Sequence, residues 1–253
     1  MNTLSNRYGN ARLGVIIEGA HSHCRDRGAT PDMTDDTTVA LTPRGRATRA
    51  RIVGSAAELI YCHGLSNTTI GDVREAATVS GSQISHYFPD RRALVRGVIA
   101  SRRDELIDFH SSGRLGRLDS FQALQDWADL NVRKQIEMDC VGGCTFGSLA
   151  GELPRSDEQI RADVTAFYDE WIALFRTALS AMRKRGELRP DADPRHLARV
   201  LVAAHQGGSL LTQTTHSFKP LRDSLNAAVH YVCSFATQPV TLDARPIARR
   251  RTR

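Results

Sequence analysis

The chain has 253 residues, with 34 Lys and Arg against 28 Asp and Glu, 41% hydrophobic and 25% charged, a globular composition that excludes a fibrous or wholly disordered chain. Its net charge of +6 is unevenly spread: 10 basic and 4 acidic residues fall in 42–103 and 5 and 1 in 240–253, while 104–239 carries 15 and 18. No stretch approaches the roughly 20 apolar residues of a membrane span, so no membrane partner is expected, and five dispersed cysteines speak for a reducing cytoplasm.

Residues 1–41 mix Gly, Asn, Arg and Asp without a helical or strand period and read as a disordered extension. Met33, just ahead of a polar lead-in, is read as an alternative translation start, with residues 1–32 upstream of it. From about Arg44 the spacing of Ile52, Ala56, Leu59 and Ile60 predicts a helix that stops near Gly64. Thr69 with Asp72 resembles a capping box and opens a short helix through Ala77; Ser80 caps a second, about 81–87, that ends against Pro89. Two short helices joined by about three residues are a helix-turn-helix signature. Asp90 can cap a long helix over about 91–111.

Beyond it the pattern is helical throughout, near 119–139, 144–152, 157–185, 194–215 and 219–236. The predicted fold is all-α with about nine helices: a three-helix helix-turn-helix domain over 42–92, a larger helical effector-binding and dimerisation bundle over 93–238, and a basic disordered tail over 239–253. A basic module beside a mildly acidic body fits a polyanion-binding head joined to a part with another task.

The block that carries the function contains Ala56-Ala57-Glu58-Leu59-Ile60, Gly64, Thr68-Thr69-Ile70, Ala76-Ala77, Val79-Ser80, His86-Tyr87-Phe88 and Leu94-Val95. It resembles the DNA-binding domain of TetR-type (TetR/AcrR) transcriptional regulators over roughly 55 residues. The departures are Thr78 at a usual turn glycine, Ser85 at a common tyrosine and Arg91 at a usual lysine. The polar positions Ser82, Gln83 and His86 can face base edges, Gln83 first, because its amide can pair bidentately with adenine. Thr48, Arg49, Thr69, Tyr87 and Arg91 are expected on phosphates, and Ser80 and Ser85 complete the DNA-binding set. Ile84 and Phe88 are expected in the core.

The resemblance implies a homodimer formed through the last two long helices and recognition helices spaced for a double-stranded, pseudo-palindromic operator. Gly207 and Gly208 would allow close backbone approach there. The stretch Gly142-Gly143-Cys144-Thr145-Phe146-Gly147-Ser148-Leu149-Ala150-Gly151-Glu152-Leu153 resembles a motif of one TetR-like subgroup whose helix borders the ligand cavity. Candidate effector-binding residues are Trp127, Cys144, Phe146, Phe167, Trp171, Phe175 and His205, each weighed against a plain core role.

The leading expectation is a dimeric repressor released by a small-molecule effector. One alternative is a thiol-based electrophile or redox sensor through Cys144, since Cys140 and Cys144 would share a face of a continuous helix. Another is a non-specific architectural DNA binder that also uses Arg249-Arg250-Arg251. No enzyme is expected, because no G-x-S-x-G, HExxH, phosphate-loop or dinucleotide fingerprint occurs, and no cofactor or metal is expected.

Overall fold

Thr42 accepts a hydrogen bond from the Gly45 N–H, Pro43 follows as the first helical residue, and α1 runs Pro43–His63 until Gly64 turns the chain at φ 83°. The computed structural model describes residues 41–111, 117–140, 144–152 and 157–243, all within one unit of the chain, and nine α-helices lie among them. The expectations for residues 1–40, Met33 included, and for the arginines of 244–253 fall outside the described residues.

The head is built on α1, α2 (Ile70–Ala76) and α3 (Gly81–Tyr87), closed by α4 (Arg91–Ser111). Ile52, Val53, Ala56 and Ala57 of α1 meet Val73, Ile84, Phe88, Leu94 and Val98, each no more than 4% exposed. That apolar centre fixes the angle between the short helices, which are too short to be stable alone. Both are held at their first turn by the capping boxes Thr69–Asp72 and Ser80–Gln83. The Ala93 N–H donates to Asp90 Oδ1 at 2.7 Å, so Asp90 caps α4 as its position suggested.

The body comprises α5 (Phe121–Glu137), α6 (Thr145–Glu152), α7 (Glu158–Lys184), α8 (Pro194–Thr215) and α9 (Lys219–Cys233). Trp127, Phe167, Trp171, Phe175, Leu179 and Leu201 fill its core. Helix α4 runs from the head into this bundle and is fastened to α7 by three ion pairs: Arg92–Asp157 at 3.0 Å, Arg96–Asp163 at 2.6 Å and Arg103–Glu170 at 2.7 Å.

The structure differs from expectation at three places. Cys140 and Cys144 do not share a helix: α5 ends at Glu137, Asp139 and Cys140 both take left-handed φ values (51° and 57°), and α6 starts only at Thr145. The last helix stops at Cys233, because Ala236 pairs in an isolated bridge with Leu188, where the Arg189 N–H donates to Phe235 O and the Thr237 N–H to Glu187 O. The tail expected from 239 stays attached as far as Asp243. There Leu242 packs on the core and Asp243 exchanges hydrogen bonds of 3.0 and 3.2 Å with the Gln122 side chain.

Candidate functional site

The turn between α2 and α3 spans Ala77 to Ser80, and Thr78 takes φ 51° within it. This left-handed conformation costs a β-branched residue about 1–2 kcal/mol, and it explains why a glycine suits the position. Arg51 of α1 steadies the turn by donating from Nε to the Ala77 carbonyl at 2.9 Å. Exposed Thr78 makes no packing contribution that glycine would lose, so Thr78→Gly is expected to raise the stability of the fold by up to about 1 kcal/mol, read as a higher urea midpoint with unchanged slope.

Beyond the turn, α3 presents Ser82, Gln83, Ser85 and His86 to solvent, while Ile84 and Phe88 are 2% and 3% exposed, as expected of core residues. Gln83 is not idle in the free protein: its Oε1 accepts from the Ser80 N–H at 2.8 Å, and its own N–H donates to Ser80 Oγ at 3.1 Å. Ser82 Oγ lies 2.9 Å from Ser80 Oγ. Tyr87 is half-buried against the start of α1, beside Gly45, with its ring edge-on to His86. Arg49 lies over the Phe88 ring at 5.2 Å, and Arg91 donates to the Leu65 carbonyl.

Two threonines complete the surface. Thr48 Oγ1 donates to Arg44 O at 3.0 Å, and Thr69 Oγ1 donates to Asp72 Oδ2 at 2.7 Å, a contact that, with the Thr69 N–H, holds the Asp72 carboxyl below its ordinary range. The ten DNA-binding candidates thus lie on or beside α3, with Thr48 and Arg49 on α1, Thr69 at the start of α2 and Arg91 at the start of α4.

In the body, six of the seven effector candidates form one aromatic cluster. Phe146 stacks on Phe167 with centroids 3.4 Å apart; Phe167 meets Trp171 at 5.9 Å, Trp171 meets His205 at 5.0 Å, and Trp127 meets Phe175 at 4.8 Å. His110, which the sequence did not single out, joins them: Trp127 Nε1 donates to His110 Nε2 at 3.2 Å, so His110 carries its proton on Nδ1 and donates to Leu106 O. Only a contact from another helix reveals this role, because on α4 His110 stands among ordinary polar residues.

Cys144 sits apart, in a cleft of about 270 Å³ between α6, α7 and α8 that Tyr168, Gln206, Leu210 and Gln213 also line. Gln206 Nε2 donates to Cys144 Sγ at 3.3 Å, and one turn on a Cβ at Gly147 would push the Gln206 amide aside. Burial, with Cys144 beside it, raises the Tyr168 phenol well above its ordinary range. At its other end α6 touches the head, where Glu152 Oε2 accepts from the Ser66 N–H at 3.2 Å. Glu152 belongs to the motif quoted above, yet nothing in its spacing announces a contact 86 residues away.

His205 is 8% exposed, and burial first, then His110 and Lys134, pushes its pKa down to about 3. His110 is shifted downward too, by burial. Folding therefore prefers these imidazoles neutral, and the unfolded chain binds more protons once the pH falls below the ordinary histidine value of about 6.5. The stability is complete above that value and declines as the pH drops toward about 3. Thermal or urea unfolding is expected to show a loss of about 2 kcal/mol between pH 7 and pH 5 from His205 alone, and a His205→Phe chain should lose that part of the slope.

Among the described residues no helix is long and apolar enough to cross a membrane, and no three metal-ligating side chains come together. Residues 52–98 match the family model described as bacterial regulatory proteins, tetR family, and residues 121–228 match the tetracyclin repressor-like C-terminal domain. A curated relative, the helix-turn-helix transcriptional repressor DhaR of Mycobacterium sp. (strain GP1), is 23% identical over 180 residues, which is 68% of this chain and 86% of that protein. An uncharacterized helix-turn-helix regulator of Lactococcus lactis subsp. lactis is 25% identical over 72% of this chain and 91% of its own length. A TetR regulator of Chloroflexus aurantiacus superposes with a TM-score of 0.67 at 24% identity, covering 77% of this chain and 98% of that one. Escherichia coli NemR in its reduced form gives 0.59 at 22%, covering 77% and 100%.

Proposed function

The chain belongs to the TetR family of transcriptional regulators, and on that premise we propose that it is a dimeric repressor that leaves a pseudo-palindromic operator when a small-molecule effector enters its body. TetR-family regulators bind DNA operators and form dimers. The observation that carries the reading for this chain is α3, polar and exposed on one side and anchored by Ile84 and Phe88 on the other. Such a helix can lie in the major groove without disturbing its own core. Gln83 is the proposed base reader, with Ser82, Ser85 and His86 beside it. Thr48, Arg49, Thr69, Ser80, Tyr87 and Arg91 are the proposed phosphate contacts, which set register.

The proposed dimer face is the outer side of α8 and α9. Leu210, Leu211 and Tyr231 stand exposed there, and Gly207 has nothing within 4 Å of where a Cβ would be. Gly208, by contrast, packs within the subunit against Leu221 and Ser224 of α9. The proposed effector region is the aromatic cluster of Trp127, Phe146, Phe167, Trp171, Phe175 and His205, with Cys144 in the adjoining cleft. Parting the rings displaces α7, which the three ion pairs couple to α4, and α6, whose Glu152 holds the turn before α2. A coupling of about 1–3 kcal/mol through such contacts corresponds to roughly 5- to 150-fold in operator affinity.

The test is selection of genomic fragments by the purified protein, then anisotropy titration of the best duplex and of its scramble. A palindromic site preferred by about 10³-fold or more supports the reading, and equal, salt-sensitive binding to both duplexes points to an architectural binder instead. Gln83→Ala is expected to lower discrimination at one adenine by about fivefold, near the low end for a bidentate contact, because the amide must first leave Ser80.

A further inference from the structure

Within the aromatic cluster two buried polar atoms have no hydrogen-bond partner: Trp171 Nε1 and His205 Nδ1, on side chains 1% and 8% exposed whose rings are 5.0 Å apart. Their chemistry is complementary, and the surrounding contacts fix it. Asn131 Nδ2 donates to the Trp127 carbonyl at 2.8 Å, which leaves Asn131 Oδ1 as the end facing His205 Nε2 at 3.1 Å. Oδ1 can only accept, so His205 carries its proton on Nε2 and turns a bare lone pair outward on Nδ1. Trp171 offers the opposite, a lone N–H donor. Four residues along α8, and so on the same side of that helix, Ser209 Oγ is a third buried atom without a partner.

A buried donor and a buried acceptor left open on neighbouring rings cost free energy unless something fills both. Resting on the effector reading above, we infer that this pair selects an uncharged effector carrying a hydroxyl on an apolar body, the hydroxyl oxygen accepting from Trp171 Nε1–H and its proton donated to His205 Nδ1. A carboxylate satisfies Trp171 but sets its charge against the His205 lone pair. An ammonium satisfies His205 and leaves Trp171 open, and a plain hydrocarbon leaves both open. A carbonyl fills one of the two. A hydroxyl donates and accepts strongly from a single atom while staying uncharged near neutral pH. The apolar body goes among the rings of Trp127, Phe167 and Phe175, which must part to admit it. Tyr168 stands at the entrance, lining the cleft and meeting Phe146 and Phe167 with its ring.

Both tryptophans of the chain lie in this cluster, so intrinsic fluorescence reports on it directly. The experiment titrates the full chain with benzyl alcohol, toluene and benzoate. Benzyl alcohol is expected to bind at least about 10-fold more tightly than either of the others, because a site built to hydrogen-bond a hydroxyl discriminates against analogues that lack it. In Trp171→Phe, which keeps a ring but loses the N–H, the preference over toluene should shrink toward parity, read from the remaining Trp127. Equal affinity of the unaltered chain for benzyl alcohol and toluene overturns the inference, as does an undiminished preference in a folded Trp171→Phe chain. Failure of all three probes to saturate at about 10 mM overturns it as well and leaves the pair as a seat for solvent. Operator binding by the same preparations is measured separately: its absence would strike the regulator reading alone, whereas intact operator binding without a hydroxyl preference strikes only this inference.

Discussion

A chain carrying both Leu210→Asp and Leu211→Asp is expected to sediment as a monomer and to bind its operator about 100-fold or more weakly. The two leucines are 62% and 54% exposed on α8 and, with Tyr231 on α9, are the exposed large apolar residues of the described structure. A monomer must hold a half-site through one head, so it forfeits the gain in effective concentration that joins two heads, commonly about 10²- to 10⁴-fold. Four carboxylates facing one another across a two-fold axis would also be strongly opposed. Since neither leucine is buried within the subunit, the melting of the monomer itself should change little. Sedimentation and anisotropy provide the check, and a double variant that remains dimeric would move the interface away from α8.

Gly208→Val should lower stability by about 3 kcal/mol, or about 10 °C in the midpoint of a thermal melt. A Cβ at this position would stand 2.9 Å from Leu221 Cα, which is backbone and cannot rotate away, so α8 and α9 would have to separate. The same change at the neighbouring Gly207 meets open space in the subunit. There the melt of a monomeric background should be almost unaffected, and the damage should appear in dimer formation. Adjacent glycines thus give opposite results, one in folding and the other in assembly.

Local chemistry made the helices readable. Asp193 before Pro194 announces the start of α8, and Ser80 announces α3, because caps and the first helical turn are decided within a few residues; that Gln83 closes a capping box there emerged only from the structure. On α7 the spacing of Ile160, Val164, Phe167, Trp171, Leu174 and Ala178, widened by Tyr168, Ile172, Phe175 and Leu179, predicts burial on most of the circumference, whereas the fully buried side is narrower: Ile160, Phe167, Trp171, Phe175, Leu179 and Met182. What escaped the sequence depends on partners far along the chain. Two adjacent glycines differ only in what packs on them, Glu152 gains meaning from Ser66, and the end of α9 is set by Leu188 and not by its own residues. The effector candidates came together in space as aromatic residues of one core would, but the unfilled hydrogen-bonding atoms of Trp171 and His205 depend on Asn131 and on tautomer, which no periodicity encodes.

The ion pairs between α4 and α7 also bear on how the protein would meet a counterion atmosphere. Of the 10 basic residues in 42–103, Arg92, Arg96, Arg102 and Arg103 are already matched by Asp157, Asp163, Glu105 and Glu170, which lie beyond that module. The excess of positive charge left for phosphate is then about a third of what the sequence count suggests. Each phosphate neutralised displaces close to one cation, so the logarithm of affinity should fall less steeply with the logarithm of salt than the raw charge of the head implies. Retention on DNA would rest more on the fit of α3 in the groove than on attraction at a distance, and random genomic sequence would hold the protein correspondingly less.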